Sequence, residues 1–410
     1  MQILSAQWIV PIAAPIIAEG SLVVGNERIL DIGKRKDILA RYPGLPERSY
    51  DSVIMPGLIN AHIHLELAHL NCIAPANKES SFTDWISQVI SMRESWMGNR
   101  YEIVAAFTSL LCDQYASGVA LVADIGNEMY PELYDQPQED WPEVYRMLEF
   151  LAPSHKALLA AEEKIANLAD RYPICVHAAY STASRALLSA KLRSRRLGQV
   201  LSIHAAESAD ELDFLQNGSG KFRDFLEKRK SWDGVFTFDE QGFAGTVVYF
   251  DHLGILDDQT LLVHAIHVSE YELKLVTERR AHICLCPGSN RFLAVGKAPV
   301  KKMLALGLLP ALGTDSPASN KDIDLWREMQ VLSFEHPDVP HESILAMATL
   351  GGAYALHRDN DYGSLTPGRC AKILHVSSIA LQGCRDMRQI MEILVTDGRP
   401  SKISWITADS

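Results

Sequence analysis

Eight short apolar runs, each closing on a polar or charged residue, recur through the middle of the chain at 58–64, 119–125, 144–150, 173–177, 200–204, 261–264, 282–286 and 308–313. Between them lie segments with helical apolar spacing, at 84–96, 101–116, 154–170, 183–193 and 269–279. Strand alternating with helix over this length predicts a parallel (β/α)8 TIM barrel. In that architecture chemistry sits at the C-terminal ends of the strands, so the polar residues that close the runs become the candidates.

The two ends of the chain have a different texture. Short strands punctuated by Gly20, Gly25-Asn26 and Gly33 are predicted at 8–10, 21–24 and 28–33. Similar runs return at 371–376 and 393–395, introduced by the Gly-, Pro-rich turn 363–368. Two β-rich ends around a different middle predict a small β-sandwich domain built from residues 1–55 and 364–410, with the barrel over 56–363.

Composition narrows the class of partner. A formal net charge of −12 argues against nucleic acid or an anionic membrane surface and leaves a small-molecule substrate. No run of 18 apolar residues occurs, and the apolar stretch 1–20 has no Lys or Arg and is broken by Pro11 and Pro15. A cytoplasmic, soluble protein is expected. Seven cysteines, an odd number widely scattered, read as reduced thiols, with Cys284 and Cys286 as small core residues of a strand.

The run-closing residues form a coherent set. In Pro56-Gly57-Leu58-Ile59-Asn60-Ala61-His62-Ile63-His64, the period of a strand puts His62 and His64 on one face, suited to neighbouring positions on one metal ion. His177, His204, His264 and Asp315 close later runs. One such histidine is ordinarily structural; five histidines and an aspartate on one barrel rim point to a catalytic divalent ion, Zn2+ or Fe2+. Glu207, three residues beyond His204, falls where a carboxylate can shuttle protons.

Together with His204-Ala-Ala-Glu207, His264-Ala-Ile-His267, Cys286-Pro-Gly-Ser-Asn290 and Leu312-Gly-Thr-Asp315-Ser-Pro-Ala-Ser-Asn320, the His62-x-His64 doublet resembles the amidohydrolase superfamily. The closer likeness is to its aminohydrolase branch of adenosine-type, guanine and triazine deaminases. The resemblance implies one metal ion held by His62, His64, His204 and Asp315, with no carboxylated lysine. It implies hydrolytic deamination in which Asp315 takes a proton from water, Glu207 protonates the ring nitrogen, and His264 hydrogen-bonds the new oxygen. His267 is expected to be structural or to lie behind the site.

Four features bear on the substrate. Trp85 and Glu94 share the spacing of a tryptophan and glutamate that face adenine and ribose in methylthioadenosine and adenosylhomocysteine deaminases; the alternative is a helix with an apolar Trp85 face and a solvated Glu94. Val176-His177-Ala178-Ala179-Tyr180 is similar to their His-x-Pro-Tyr element, with alanine for proline, which puts His177 near the sugar. Glu66, two residues past His64, is similar to the aminodeoxyfutalosine deaminases of menaquinone biosynthesis; it contacts substrate or pairs with an arginine. Arg291 meets either a substrate carboxylate or a surface acid, and Asn290 in the same motif joins the substrate-side candidates. The expected substrate is a 6-aminopurine nucleoside, aminodeoxyfutalosine first, then methylthioadenosine, adenosylhomocysteine or adenosine. Guanine or a triazine is the alternative, and a non-catalytic scaffold would show lost ligands, which this chain does not. The aromatic segment 232–250 walls the pocket or packs in the core, and a homodimer is compatible with such a fold.

Overall fold

The computed structural model describes residues 1–70, 73, 81–96, 100–127, 138–236, 242–384 and 386–406. Strands β1 (Gln2–Ile9), β2 (Ile17–Gly25), β3 (Arg28–Lys34) and β4 (Glu47–Pro56) open the chain. The barrel strands follow: β5 (Leu58–Ile63), β6 (Val119–Gly126), β7 (Glu143–Phe150), β8 (Ile174–Ala178), β9 (Leu201–Ala205), β10 (Thr260–His264), β11 (His282–Leu285) and β12 (Ala311–Leu312). Finally come β13 (Ile373–Val376) and β14 (Ile403–Ile406). The barrel strands hydrogen-bond in sequence order, all in parallel, as the alternation of strand and helix requires. Across the closing seam, Thr314 and Asp315 donate their backbone N–H groups to the carbonyl of His62 at 3.0 and 3.1 Å.

Both chain ends contribute to one mixed six-stranded sheet in the order β14-β13-β4-β1-β2-β3. β4 pairs in parallel with β1 and antiparallel with β13, which ties the two termini together. The passage from β4 to β5 takes a single residue, Gly57. A Cβ at Gly57 would sit 2.8 Å from both the Ala120 Cβ and the Trp405 ring, so only glycine lets the small sheet lie this close to the barrel. Trp405 completes the joint by stacking on Tyr115, with ring centroids 5.0 Å apart, and donating its indole N–H to the Tyr115 carbonyl.

Two elements differ from the sequence reading. The run 393–395 lies inside a helix, Met387–Asp397, whose buried Ile390, Leu394 and Val395 follow helical spacing and whose N-cap is Asp386. Three consecutive apolar residues do not separate helix from strand. The eighth barrel strand is only Ala311–Leu312, since Pro310 has no N–H to give a ladder and Gly313 turns the chain toward Asp315. In the aromatic segment, Phe243 and Tyr249 are buried and the half-buried Phe236 stacks on the half-buried Trp232 against the core, while Phe238 lies outside the described residues. Cys284 and Cys286 are fully buried, as small core residues.

Candidate active site

His62 and His64 end the first barrel strand, His204 the fifth, and Asp315 follows the eighth; their side chains converge on one point. The Nε2 atoms of His62 and His204 are 3.3 Å apart, and Asp315 Oδ1 lies 3.7 Å from His62 Nε2 and 3.5 Å from His64 Nε2. Four donors at about 2.0–2.2 Å around a tetrahedral ion stand roughly 3.3–3.6 Å from one another, so the 3.3 and 3.5 Å spacings match a zinc-like ion and the 3.7 Å one lies just outside that range. The protonation states fit as well. His204 gives its Nδ1 hydrogen to the His177 carbonyl at 2.7 Å, which leaves the Nε2 lone pair facing the other donors. Burial, then the neighbouring His62, depress His64 to about 3, and burial holds His204 well below the ordinary imidazole value. Burial opposes ionisation of Asp315, yet the hydrogen bond and charges of the histidines hold it well below the usual carboxylate range.

Asp315 is oriented from behind. Ser289 and Ser319 each donate a hydroxyl to Oδ2 at 2.7 Å, which turns Oδ1 toward the histidines. The backbone here is strained: His264, Asp315, Ala206 and Ala265 have φ of +77°, +59°, +52° and +47°. Non-glycine residues reach that region at a cost and cluster where a site demands a fixed geometry. Gly313 permits the seam, because a Cβ there would meet the His62 carbonyl oxygen at 2.8 Å.

Glu207 and His264 face each other across the same floor, Oε1 to Nε2 at 3.5 Å, and both are buried. Burial, reinforced by the charges of Asp315 and Glu211, pushes Glu207 well above the carboxylate range. Burial lowers His264 to about 4. The oxygen of Asn290 faces His264 Nδ1 at 2.9 Å and takes its hydrogen, so Nε2 presents a lone pair. Glu211 holds the loop that carries Glu207 by accepting the N–H groups of Ala206 and Glu207, each at 3.0 Å.

These groups floor a cavity of about 360 Å3 that also exposes His64, His177, His204 and Asp315. Trp85 lines it and donates its indole N–H to the Ala318 carbonyl. His177 lines it with Nδ1 anchored 2.7 Å from the Ser181 hydroxyl. The other substrate-side candidates are placed elsewhere. Glu94 is 65% exposed near the cavity mouth, 3.6 Å from Arg229, because it follows Arg93 on the outward side of its helix. Glu66 is buried under the rim, where it accepts the Asn127 N–H at 3.0 Å and pairs with Arg93 at 3.4 Å, the arginine alternative. Arg291 is an exposed residue whose guanidinium lies over the Phe334 ring at 5.6 Å, away from the cavity. Asn290 is packed behind His264 and does not line the cavity. His267 bonds the Val295 carbonyl, a structural contact.

The structure adds residues that the sequence reading passed over. Glu149, near the end of β7, lines the cavity beside His177 and His204; its Oε1 is buried without a partner, and burial pushes its carboxyl up to about 7. It is the last polar residue of the run 144–150, one place before its end, so the rule that found the histidines comes close to it. Glu328 lies outside the cavity but accepts the Gly288 N–H at 2.7 Å and the Asn320 amide at 2.6 Å, which joins the two loops around Asp315.

The Amidohydrolase family profile matches residues 53–399, the barrel together with strands on both sides of it. The chain is 27% identical over 372 residues to a 5-methylthioadenosine/S-adenosylhomocysteine deaminase of Nitratidesulfovibrio vulgaris, covering 84% of this chain and 76% of the relative. It is 28% identical over 360 residues to an adenosine deaminase of Helicobacter pylori, covering 82% of this chain and 83% of that one. Its fold superimposes with a TM-score of 0.82 on Helicobacter pylori aminofutalosine deaminase in complex with methylthio-coformycin, at 23% identity over 98% of this chain and 100% of the other. A family match across most of the chain, converging with a strained histidine–aspartate rim on a parallel barrel, makes this chain a member of the amidohydrolase family, metal-dependent hydrolases acting on C–N bonds.

Proposed function

We propose that the protein deaminates a 6-aminopurine nucleoside by hydrolysis, with aminodeoxyfutalosine the preferred substrate and methylthioadenosine, adenosylhomocysteine or adenosine next. The observation that carries the reading is the facing pair of Glu207 and His264 beside Asp315, on the floor of a cavity with Trp85 in its wall. His62, His64, His204 and Asp315 would hold a divalent ion, Zn2+ preferred and Fe2+ second, which supplies Lewis acidity and lowers the pKa of water toward neutrality. The residues themselves move the protons. Asp315 takes the proton that water gives up as the C–O bond forms, and the bare Nε2 of His264 hydrogen-bonds the new oxygen by accepting from its hydroxyl. Glu207 delivers its proton to the ring nitrogen, takes up the proton of the new hydroxyl as the carbonyl forms and the C–N bond breaks, and passes that proton to the departing ammonia; the proton that Asp315 took from water then restores Glu207. Trp85 offers an aromatic face to the purine, and His177 a polar atom to the sugar. The relatives named as deaminases of adenosine-like nucleosides support the same class.

The test is ammonia release by metal-replete protein across aminodeoxyfutalosine, methylthioadenosine, adenosylhomocysteine, adenosine, guanine and melamine. Turnover of a ribosylated adenine supports the reading and selects its substrate. Turnover confined to guanine or melamine overturns it in favour of the base or triazine hydrolases.

A further inference from the structure

Among the described residues that line the cavity, Glu149 is the one carboxylate to which the proposed chemistry gives no task. Strand period aims it inward. Met147, two places earlier, packs inside the barrel with Cys175 of β8, and His177 stands two places beyond Cys175. Glu149 and His177 therefore project from neighbouring strands into the same cavity.

Each group is bare where it could meet a ligand. Among the described residues no hydrogen-bond partner reaches Glu149 Oε1, which is buried. Arg93 is near enough for its charge to act on Glu149, yet it pairs with Glu66. A buried carboxylate oxygen without a partner costs free energy, so such a group marks a place where a ligand or ion supplies the partner. At His177, the Ser181 hydroxyl gives its hydrogen to the Ala178 carbonyl at 3.2 Å, so it accepts from Nδ1–H at 2.7 Å. The Nε2 lone pair is then the one left for the cavity. An imidazole whose other nitrogen donates to a fixed acceptor is built as metal-ligating histidines are.

The spacing suits one ion. A carboxylate oxygen of Glu149 and ring nitrogens of His177 and His204 lie within 4.8 Å of one another. A turn of the Glu149 carboxyl on its flexible stem brings it and His177 to the roughly 3.3–3.6 Å of ligands around one tetrahedral ion. His204 Nε2 already faces His62 Nε2 at 3.3 Å, so it belongs to the first ligand set. That leaves Glu149 and His177 as the protein's own ligands at a second position, with water to complete it. Imidazole nitrogen with carboxylate oxygen suits a borderline ion such as Zn2+ better than Mg2+ or Ca2+.

We propose that Glu149 and His177 form a second divalent-ion site, weaker than the first, which Zn2+ in excess fills. An ion there occupies the part of the cavity that His177 offers to the substrate's sugar, so it competes with substrate. One ion then serves the chemistry and the next inhibits it.

In the experiment, metal-free protein is dialysed against a series of buffered Zn2+ concentrations and the bound metal is counted. Wild type is expected to take up two equivalents, the second at least about 100-fold more weakly, as two protein ligands stand in place of four. Glu149→Gln, which keeps the size of the side chain but not its charge, should take up one, and so should His177→Gln. Across the second step the KM of wild type should rise about 11-fold at free Zn2+ about ten times the second dissociation constant, with kcat held. In Glu149→Gln, KM should not move with zinc. A single equivalent in wild type at excess zinc overturns the site, and a second equivalent that persists in both variants does the same. A second equivalent that leaves KM unmoved overturns the competition with substrate. The metal count is independent of the deaminase reading: protein that releases no ammonia from any substrate overturns that reading, while the count still decides this one.

Discussion

Asp315 owes its aim to two hydroxyls, and that support is testable residue by residue. With Ser289 and Ser319 both bonding Oδ2, replacing both by alanine leaves this oxygen without its hydrogen bonds and frees the carboxyl to rotate. The double variant is expected to lose about 10- to 100-fold in metal affinity, measured by competition with a chelator, the scale on which outer partners of a ligand act. The histidines and Asp315 were legible in the sequence because each closes an apolar run, and strand period fixes which way such residues face. For Glu94 and Arg291 the sequence left two placements open, for the opposite reason. Both sit on helices, where a shift of one position turns a side chain by about 100°, and spacing from a motif does not record that rotation. Glu149 lies one place short of the end of its run, and no motif in the chain drew attention to it.

Between elements, Glu328 on the helix Leu325–Glu335 ties the turn at Gly288 to the loop at Asn320. Glu328→Ala takes the acceptor from the part-buried Gly288 N–H and one of two acceptors from the buried Asn320 amide, which keeps its bond to the Thr314 carbonyl, and should cost about 1–3 kcal/mol in urea unfolding. Its titration has a definite sign. Burial raises the folded-state carboxyl from 4.5 to about 8, despite the hydrogen bonds from Gly288 and Asn320 that favour the anion. The folded protein thus keeps a proton that the unfolded chain releases, so this contribution to stability is complete below about pH 4.5 and is lost as pH rises toward 8. Glu328→Gln should flatten that part of the stability profile, and an unaltered slope would contradict the assignment. Such cross-loop ties were not readable from sequence, since Glu328 and Gly288 are 40 residues apart and nothing local signals their contact.

At the scale of the molecule, the barrel was legible because eight runs and their intervening helices repeat, while the joint between barrel and small sheet was not. That joint depends on Gly57 and Trp405, two residues whose meeting only the fold reveals. Gly57→Val should force the sheets apart and destabilise by about 1–3 kcal/mol or more, read as a lowered Tm. Chelation should lower Tm as well, because the proposed ligand set is gathered from β5, β9 and the loop after β12, and an ion bound only by the folded state would stabilise all three together. Among the described residues no helix is long and apolar enough to cross a membrane.

The most direct test of the account is deamination by Glu207→Gln protein whose metal content is measured in the same preparation. Glu207 stands opposite His264 and is not among the four residues assigned to the ion, so the variant should bind metal to the same stoichiometry as wild type. It should release ammonia at least about 100-fold more slowly, the scale of general acid–base assistance. Wild-type rates in the metal-loaded variant would contradict the proton-transfer role of Glu207, and with it the proposed chemistry of the site.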